Sequence, residues 1–467
     1  MISTLDVDIR PGSGLGPFEL GTSLWSTLDL LRTLPHLFPQ IDLKYDSQHS
    51  PITTPIILHI RPHLDLLFSG VHQRLHTICL RKLRDPNPPV RLRYKDTILS
   101  SSASTSSVAP SASSPGKGLD GETGEVLRRL GVSRTFGPTY EGDDLRYPGV
   151  WFNFDEDPRL TIPEGLKSPV LSPRSSTSAT HAHTKSKSRT SNVGTPPTGT
   201  PHGHHPEDRM QEVKRVIVLQ KLAGGAEAEA ERDALSEVLE SPIMYGDIFR
   251  AVVKIHNGVT LDFYPQSHSQ PVHIQIGVTT AQDLQLDLGP PLRVHYKEDD
   301  RMTIHATAPR NAEDESEVDY FYNYFQHGID ILISGGSHIV KKIILHTNIP
   351  GTPLFQRYKR CPWEIEGPPE DDEDGISSSN GCIYPVIRLR LIILSRLDHP
   401  PRMRFHDRFD VINHFLSPRE APPSMLLDRT DDEPTLTLPN SSTRLVGYDG
   451  VILEVTESGH VASVTLF

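Results

Sequence analysis

"GIDILISGGSHIVKKIILHTN", residues 328–348, decides the fold. Alternating apolar residues run to Ile333, Ser334-Gly335-Gly336-Ser337 breaks them, and an apolar run resumes at Val340–Leu345. Two such runs about a Gly-containing break predict an antiparallel hairpin. The chain ends on nearly the same pattern, "GVILEVTESGHVASVTLF", residues 450–467. A third copy is "HLDLLFSGVHQRLHTICL" (His63–Leu80). A fourth is split, with "GVWFNF" (Gly149–Phe154) resumed far downstream by "EVKRVIVLQ" (Glu212–Gln220). The return strands align as Leu75–Leu80, Val213–Val218, Val340–Leu345 and Val461–Leu466, each apolar at its first, fourth and sixth positions. Self-similarity of this kind takes precedence over any local assignment.

A short helix precedes each hairpin. In "FELGTSLWSTLDLLRTLPH", Ser23 is suited to N-capping, and Leu24, Leu28 and Leu31 are spaced for one buried face. In "IQIGVTTAQDLQLDLGPP" the cap falls to Thr279 or Thr280, and Gly289 and Pro290 stop the helix. The matching segments are Val126–Pro138 and Val411–Pro418, and "LKYDSQ" (Leu43–Gln48) is echoed by "VHYKED" (Val294–Asp299). A hairpin beside one short helix cannot bury its own apolar face. The expected fold is therefore α+β, with four repeated helix-plus-hairpin units packed into one or two sheet-based bodies. The units span 1–98, 121–222, 244–365 and 402–467.

Between and within them lie inserts of other composition. Residues 99–120 form a Ser-rich linker, and about 163–208 form a Ser/Pro/His-rich insert inside the second unit. Residues 366–401 begin acidic and continue irregular. The Ser-rich, Ser/Pro/His-rich and acidic stretches carry too little apolar surface to offset an ordering entropy of roughly 1–2 kcal/mol per residue, and disorder is expected there. Residues 223–243 are helix-prone, rich in Ala, Glu and Leu, and fit a solvated surface helix.

Of the 467 residues 36% are hydrophobic, and Pro (41) outnumbers Gly (33), which agrees with a partly unpacked chain. A net charge of −12 argues against a general nucleic-acid binder, which needs a basic face to displace counterions. The cysteines, Cys79, Cys361 and Cys382, are too scattered for a disulfide framework or a Cys-rich zinc site, and fit a reducing cytosol. No signal peptide is read at the N-terminus, and no apolar run approaches the roughly 20 residues of a membrane-spanning helix.

No motif predicts catalysis. "GSGLG" (Gly12–Gly16) runs into Pro17 where a dinucleotide fingerprint would open a helix, and reads as a turn. No nucleophile elbow, zincin motif or phosphate-binding loop occurs. The histidines of the second insert lack acidic or Cys partners at ligand spacing. His338 and His460 share a position near the hairpin turn and read as turn or packing residues. No cofactor, metal or catalytic residue is expected. Contact surfaces are the better candidates. In "DYFYNYF" (Asp319–Phe325), Tyr320, Tyr322 and Tyr324 share one face. They are taken as a contact surface, with Phe321 and Phe325 as core. Lys341, Lys342, Arg357, Lys359 and Arg360 supply basic charge for a partner or an anionic membrane, set against the plainer role of edge charges that block aggregation. Ser168, Ser172, Thr195 and Thr200 each precede proline and suit proline-directed phosphorylation.

"HYKEDDRMTIH" (His295–His305), "DYFYNYFQHGIDILISGGSHIVKKIILHTNIPG" and "RYKRC" (Arg357–Cys361) together resemble the phagosome assembly factor family, formerly termed uncharacterised or Lin-ten-like. "FELGTSL", "LLFSGVHQRLHTICL", "FGPTYEGDDLRYPGVWFNF" and "HVASVTLF" extend the resemblance over most of the ordered chain. The insert of the second unit, the acidic stretch after Trp363 and "YPVIRLRLIILSRLDHPP" (Tyr384–Pro401) depart from the family pattern. The resemblance implies a non-enzymatic cytoplasmic adaptor in autophagy. It would act with a WD-repeat β-propeller partner recruited on starvation to phosphoinositide-containing phagophore membranes, with lipid contact made directly or through the partner. Two alternatives stand beside it: a factor in Golgi-to-plasma-membrane traffic, and a small-molecule carrier or enzyme using a pocket between units.

Overall fold

The computed structural model describes residues 5–47, 50–61, 64–81, 83, 90–101, 126–139, 142–154, 208–221, 238–297, 318–367, 400–418, 421–428 and 442–467. The expected disordered and helix-prone inserts lie almost wholly outside these residues. The fold is mixed and sheet-rich, 45% strand with four helices among the described residues. None of those helices is long and apolar enough to cross a membrane.

The strands form four sheets. In the first half a seven-stranded antiparallel sheet runs, edge to edge, through Leu145–Tyr147, Val150–Asn153, Arg215–Leu219, Leu75–Arg81, Leu64–Phe68, Ile56–Ile60 and Ile41–Lys44. In the second half an eight-stranded sheet runs through Arg293–Tyr296, Tyr320–Tyr324, Ile329–Ile333, Val340–His346, Val461–Leu466, Val451–Thr456, Ser442–Tyr448 and Ser424–Asp428. Each large sheet is thus two hairpins joined through their return strands, Ile78 opposite Val218 in one and Leu345 opposite Val464 in the other. Each half adds a five-stranded sheet containing one parallel pair, which the hairpin pattern did not lead us to expect. Leu5–Arg10 lies parallel to Val90–Tyr94, and Ile248–Lys254 parallel to Trp363–Glu366. The echoed segments around Leu43 and Val294 become edge strands of the two large sheets.

The four helices are α1 (Leu24–Thr33), α2 (Arg129–Phe136), α3 (Ala281–Leu288) and α4 (Phe409–Leu416). Ser23 caps α1 by accepting from the Ser26 N–H at 3.1 Å, and Leu24, Leu28 and Leu31 are buried. Thr280 caps α3 in a reciprocal box with Asp283, while the Thr279 hydroxyl accepts from the Gln275 N–H at 2.8 Å. The starts of α2 and α4, at Arg128 and Arg408, have no side-chain cap. Backbone supplies what they lack, and in the same way at all four helices. The first helical N–H donates to a carbonyl just before a return strand, two residues ahead of it in three cases and four in the second: Leu24 to Gln73 (2.8 Å), Arg129 to Gln211 (2.9 Å), Ala281 to His338 (2.8 Å) and Phe409 to Gly459 (3.0 Å). An otherwise orphaned helix donor is thereby satisfied by a strand entry. The contact also fixes each helix against the start of its hairpin's return strand.

Two cores result. One is built from Val7 to Val218, the other from Ile248 to Leu466 with Ile52 added from the first half. The exchange is reciprocal: Val71 packs against the second core and Phe355 against the first. The chain between Thr347 and Pro362 therefore works at the junction of the halves.

Candidate functional site

Three groups of polar side chains hold that junction. Arg360 is buried, and its guanidinium sits among backbone carbonyls. Nε donates to Thr347 O at 2.7 Å, Nη2 to Asn348 O at 3.3 Å, and Nη1 to Val71 O at 3.0 Å, to Ile52 O at 3.3 Å and to Gly70 O. Three of these carbonyls belong to the first half and two to the second. A planar fork with five donors suits such a cage, and an ammonium does not. Gln73 and Asn348 clasp each other across the same junction: Gln73 Nε2 donates to Asn348 O and Asn348 Nδ2 to Gln73 Oε1, both at 2.9 Å. Both residues occupy the left-handed region, with φ of 50° and 51°. Strained backbone of this kind persists where surrounding contacts over-determine it.

Asp247 is the third group. Its carboxylate meets Arg74 at 2.5 Å from one side and Lys359 from the other. Burial alone would raise its pKa, but Lys359 and Arg74 outweigh burial and hold the carboxyl below the ordinary range. Burial pushes Lys359 down to about 8, opposed by Asp247 and reinforced by Arg74. At neutral pH the Asp247 carboxyl and the Lys359 amine are therefore both charged. A cleft opens over it, lined by Trp25, His72, Arg74, Phe249, Tyr264 and Lys359 among others. Trp25 Nε1 donates to Arg357 O at 3.1 Å and Arg32 to Gln356 Oε1 at 3.1 Å, closing the junction on its outer side.

A second buried network lies on the Ile329–Ile333 strand. Asp330 accepts from Tyr358 Oη at 2.6 Å, Asn323 Nδ2 at 2.7 Å and His346 Nε2 at 2.9 Å, and the His346 ring stacks on Tyr358 at 3.7 Å. Burial raises the Asp330 pKa, and these donors more than reverse it. Neither network presents a poised nucleophile. Cys79 and Cys361 are buried, and burial pushes the Cys79 thiol up to about 12 and Cys361 upward as well, away from reactive thiolate. Among the described residues no three His, Cys, Asp or Glu side chains gather as a metal site.

The expected contact residues divide. Tyr320, Tyr322 and Tyr324 are buried, so the tyrosine face is the core face and not a contact surface; Phe321 and Phe325 lie half-buried on the other side. The reason is that α3 and the His338 turn give the hydroxyls partners. Gln285 Nε2 donates to Tyr322 Oη at 2.7 Å, Tyr324 Oη donates to Gly289 O at 3.1 Å, and Tyr320 Oη bonds His338 Nδ1 at 2.8 Å. Lys359 and Arg360 are buried in the junction and, folded, cannot reach a membrane. Lys341, Lys342 and Arg357 are exposed. Lys341 pairs with Asp319 at 2.8 Å, Lys342 stands 5.8 Å from the Phe467 ring, and Arg357 lies over Phe325 at 5.6 Å. His460 is a buried packing residue, and His338 is a turn residue with φ of 55°. Ser168, Ser172, Thr195 and Thr200 lie outside the described residues. Asp247, Gln73 and Asn348 were not singled out in the sequence, where nothing sets them apart from ordinary loop residues. Asp330 did leave a signal: an acid inside the otherwise apolar "IDILI" needs a buried partner.

Comparison with known proteins supplies the remaining observation. The family model described as Phagosome assembly factor 1 matches residues 14–467. The PHAF1 protein of Arabidopsis thaliana is 24% identical over 469 residues, covering 98% of this chain and 92% of its own. That of Caenorhabditis elegans is 25% identical over 479 residues with the same coverage of each chain. That of Drosophila melanogaster is 32% identical over 188 residues, 40% of each chain. No solved structure gives a significant match. With one family model running through both halves and their junction, the chain belongs to the phagosome assembly factor 1 family.

Proposed function

We propose that this chain is a non-enzymatic autophagy adaptor. It acts in a complex with a WD-repeat β-propeller protein that is recruited to phosphoinositide-containing phagophore membranes. The observation that carries this reading is the family match over residues 14–467, to a family named for assembly and not for a reaction. The two-half architecture agrees with it, since the halves are locked into one body by buried polar contacts. The four alike helix starts support taking the chain as four repeated units. Of the five basic residues singled out in the sequence, Lys341, Lys342 and Arg357 are the ones exposed for partner or membrane contact.

Affinity purification of the N-terminally tagged chain from fed and starved cells tests the proposal. A WD-repeat propeller should co-elute in stoichiometric amount, with autophagy membranes in the starved sample. Replacing Lys341, Lys342 and Arg357 by Glu should reduce recovery of one or both. Elution of the chain alone in both conditions would sink the adaptor reading.

A further inference from the structure

The eight-stranded sheet ends on Ser424–Asp428, "SMLLD". This strand pairs with Ser442–Tyr448 on its inner side, and among the described residues nothing pairs with its outer side. The seven-stranded sheet of the first half ends one strand earlier, on Leu145–Tyr147, so this edge is an addition. Its guards stand only at its ends, Pro422 and Pro423 before it and Asp428 closing it, and leave its middle bare. Sheet edges are normally protected by charge, proline or brevity, because a free row of N–H and C=O groups templates pairing with another chain. The edge strand Ile41–Lys44 carries Asp42 and Lys44, Arg402–Arg404 carries two arginines, and Arg293–Tyr296 carries Arg293. The middle of Ser424–Asp428 is Met425-Leu426-Leu427, with Met425 62% and Leu426 71% exposed. Adjacent strand residues point to opposite faces, so apolar surface is offered on both sides of the sheet at once.

We propose that a second copy of this chain covers this edge, the two Ser424–Asp428 strands pairing antiparallel about a two-fold axis at Leu426. The sequence is self-complementary in that register. Leu426 meets Leu426 of the second copy, Met425 meets Leu427, and Ser424 meets Asp428, so every central pair is apolar and no like charges oppose each other. Pairing about the middle of the sheet's other edge would set Val294 against His295 and Arg293 against Tyr296, which is less apolar. A closed two-fold contact also uses one surface patch twice and stops at two copies. The contact is small, so affinity in the micromolar range is expected, not a permanent dimer.

Sedimentation of the full chain tests this. The wild type should approach twice the single-chain mass as concentration rises to about 100 µM. Leu426→Lys puts two ammonium groups opposite each other at the axis and should weaken association by at least about ten-fold. Leu286→Lys, equally exposed on α3 at 75%, should leave association unchanged. In a Cys382→Ser background, Leu426→Cys should form a disulfide-linked dimer on mild oxidation and Met425→Cys should not, since only position 426 faces itself. A wild type that keeps the single-chain mass throughout, or a Leu426→Lys chain that associates like wild type, overturns the proposal. So does association that appears only after residues 429–441 are deleted, because that segment would then be the occupant of the edge.

Discussion

Replacing Arg360 by Met should uncouple the two halves. The guanidinium makes five hydrogen bonds to carbonyls, three of them on the first half at Ile52, Gly70 and Val71. Met fills much of the volume but donates nothing, so in a site closed to water four carbonyls lose this donor outright and Asn348 O keeps only its bond from Gln73 Nε2. Hydrogen bonds to a charged group contribute about 1.5–3 kcal/mol each but do not add, and a buried acceptor left without a donor costs about 1–3 kcal/mol, so several left together cost about 3–5 kcal/mol after relaxation. The expected loss is therefore about 3–5 kcal/mol, a large part of the roughly 5–15 kcal/mol that holds a typical domain folded. Arg360→Lys separates charge from geometry. It keeps the cation but has three donors on one point for carbonyls arriving from two halves, so about 2 kcal/mol should still be lost. Urea unfolding read by tryptophan fluorescence suits the question. Trp25 sits across the junction, bonded to Arg357 O, and Trp363 donates to Thr347 Oγ1 at 3.0 Å beside the cage. The wild type should unfold in one transition, and the Met variant should show fluorescence and far-UV dichroism midpoints that separate. A loss under about 1 kcal/mol, or a Lys variant matching wild type, would refute the assignment of Arg360 as the link between the halves.

Asp247→Asn leaves Arg74 and Lys359 facing each other without a carboxylate and should cost about 2–4 kcal/mol in the same urea assay. The wild-type carboxyl is held below its ordinary 3.8, so its contribution is present above that value and is lost as pH falls through the folded value. The Asn variant should lack this acid-limb dependence. Burial first, and Lys359 second, push His327 from 6.5 down to about 4. Between those values the unfolded chain binds a proton that the folded chain refuses, so stability should decline by up to about 3 kcal/mol as pH falls from 6.5 to 4. His327→Gln should flatten that limb in thermal melts taken across the window; a wild-type profile already flat there would refute the burial argument. Gly149 has a φ of +84°, and a Cβ there would stand 2.2 Å from Gly12 N. Gly149→Ala should therefore lose about 2–4 kcal/mol from the first half, whereas Gly137→Ala, also at positive φ but open to space, should lose about 1 kcal/mol.

What the sequence could and could not reveal follows from the range of each interaction. Short helices and hairpins are written locally. The Leu24, Leu28, Leu31 spacing and the apolar first, fourth and sixth positions of the return strands mark burial within one element, and the structure buries them. The parallel pairing of Leu5–Arg10 with Val90–Tyr94 is not local, because more than two whole hairpin strands intervene and nothing in either segment names the other. Facing was legible only where one side of a strand is polar. In "YFYNYF" both sides are aromatic, and what decides is whether the hydroxyls find partners overhead. Gln285, Gly289 and His338 provide them, so the tyrosines turn inward. The junction shows the same limit from the polar side. Lys359 and Arg360 look like surface charge in "RYKRC", and a basic patch is the natural expectation for such a run. Their burial depends on Asp247 and on carbonyls at Ile52, Gly70 and Val71, more than a hundred residues away in sequence. A charge can leave water only when its partners are already in place. That both of these adjacent cations are buried is therefore a property of the assembled halves, and Arg357, three residues before Arg360 and exposed, is the control that the same segment provides.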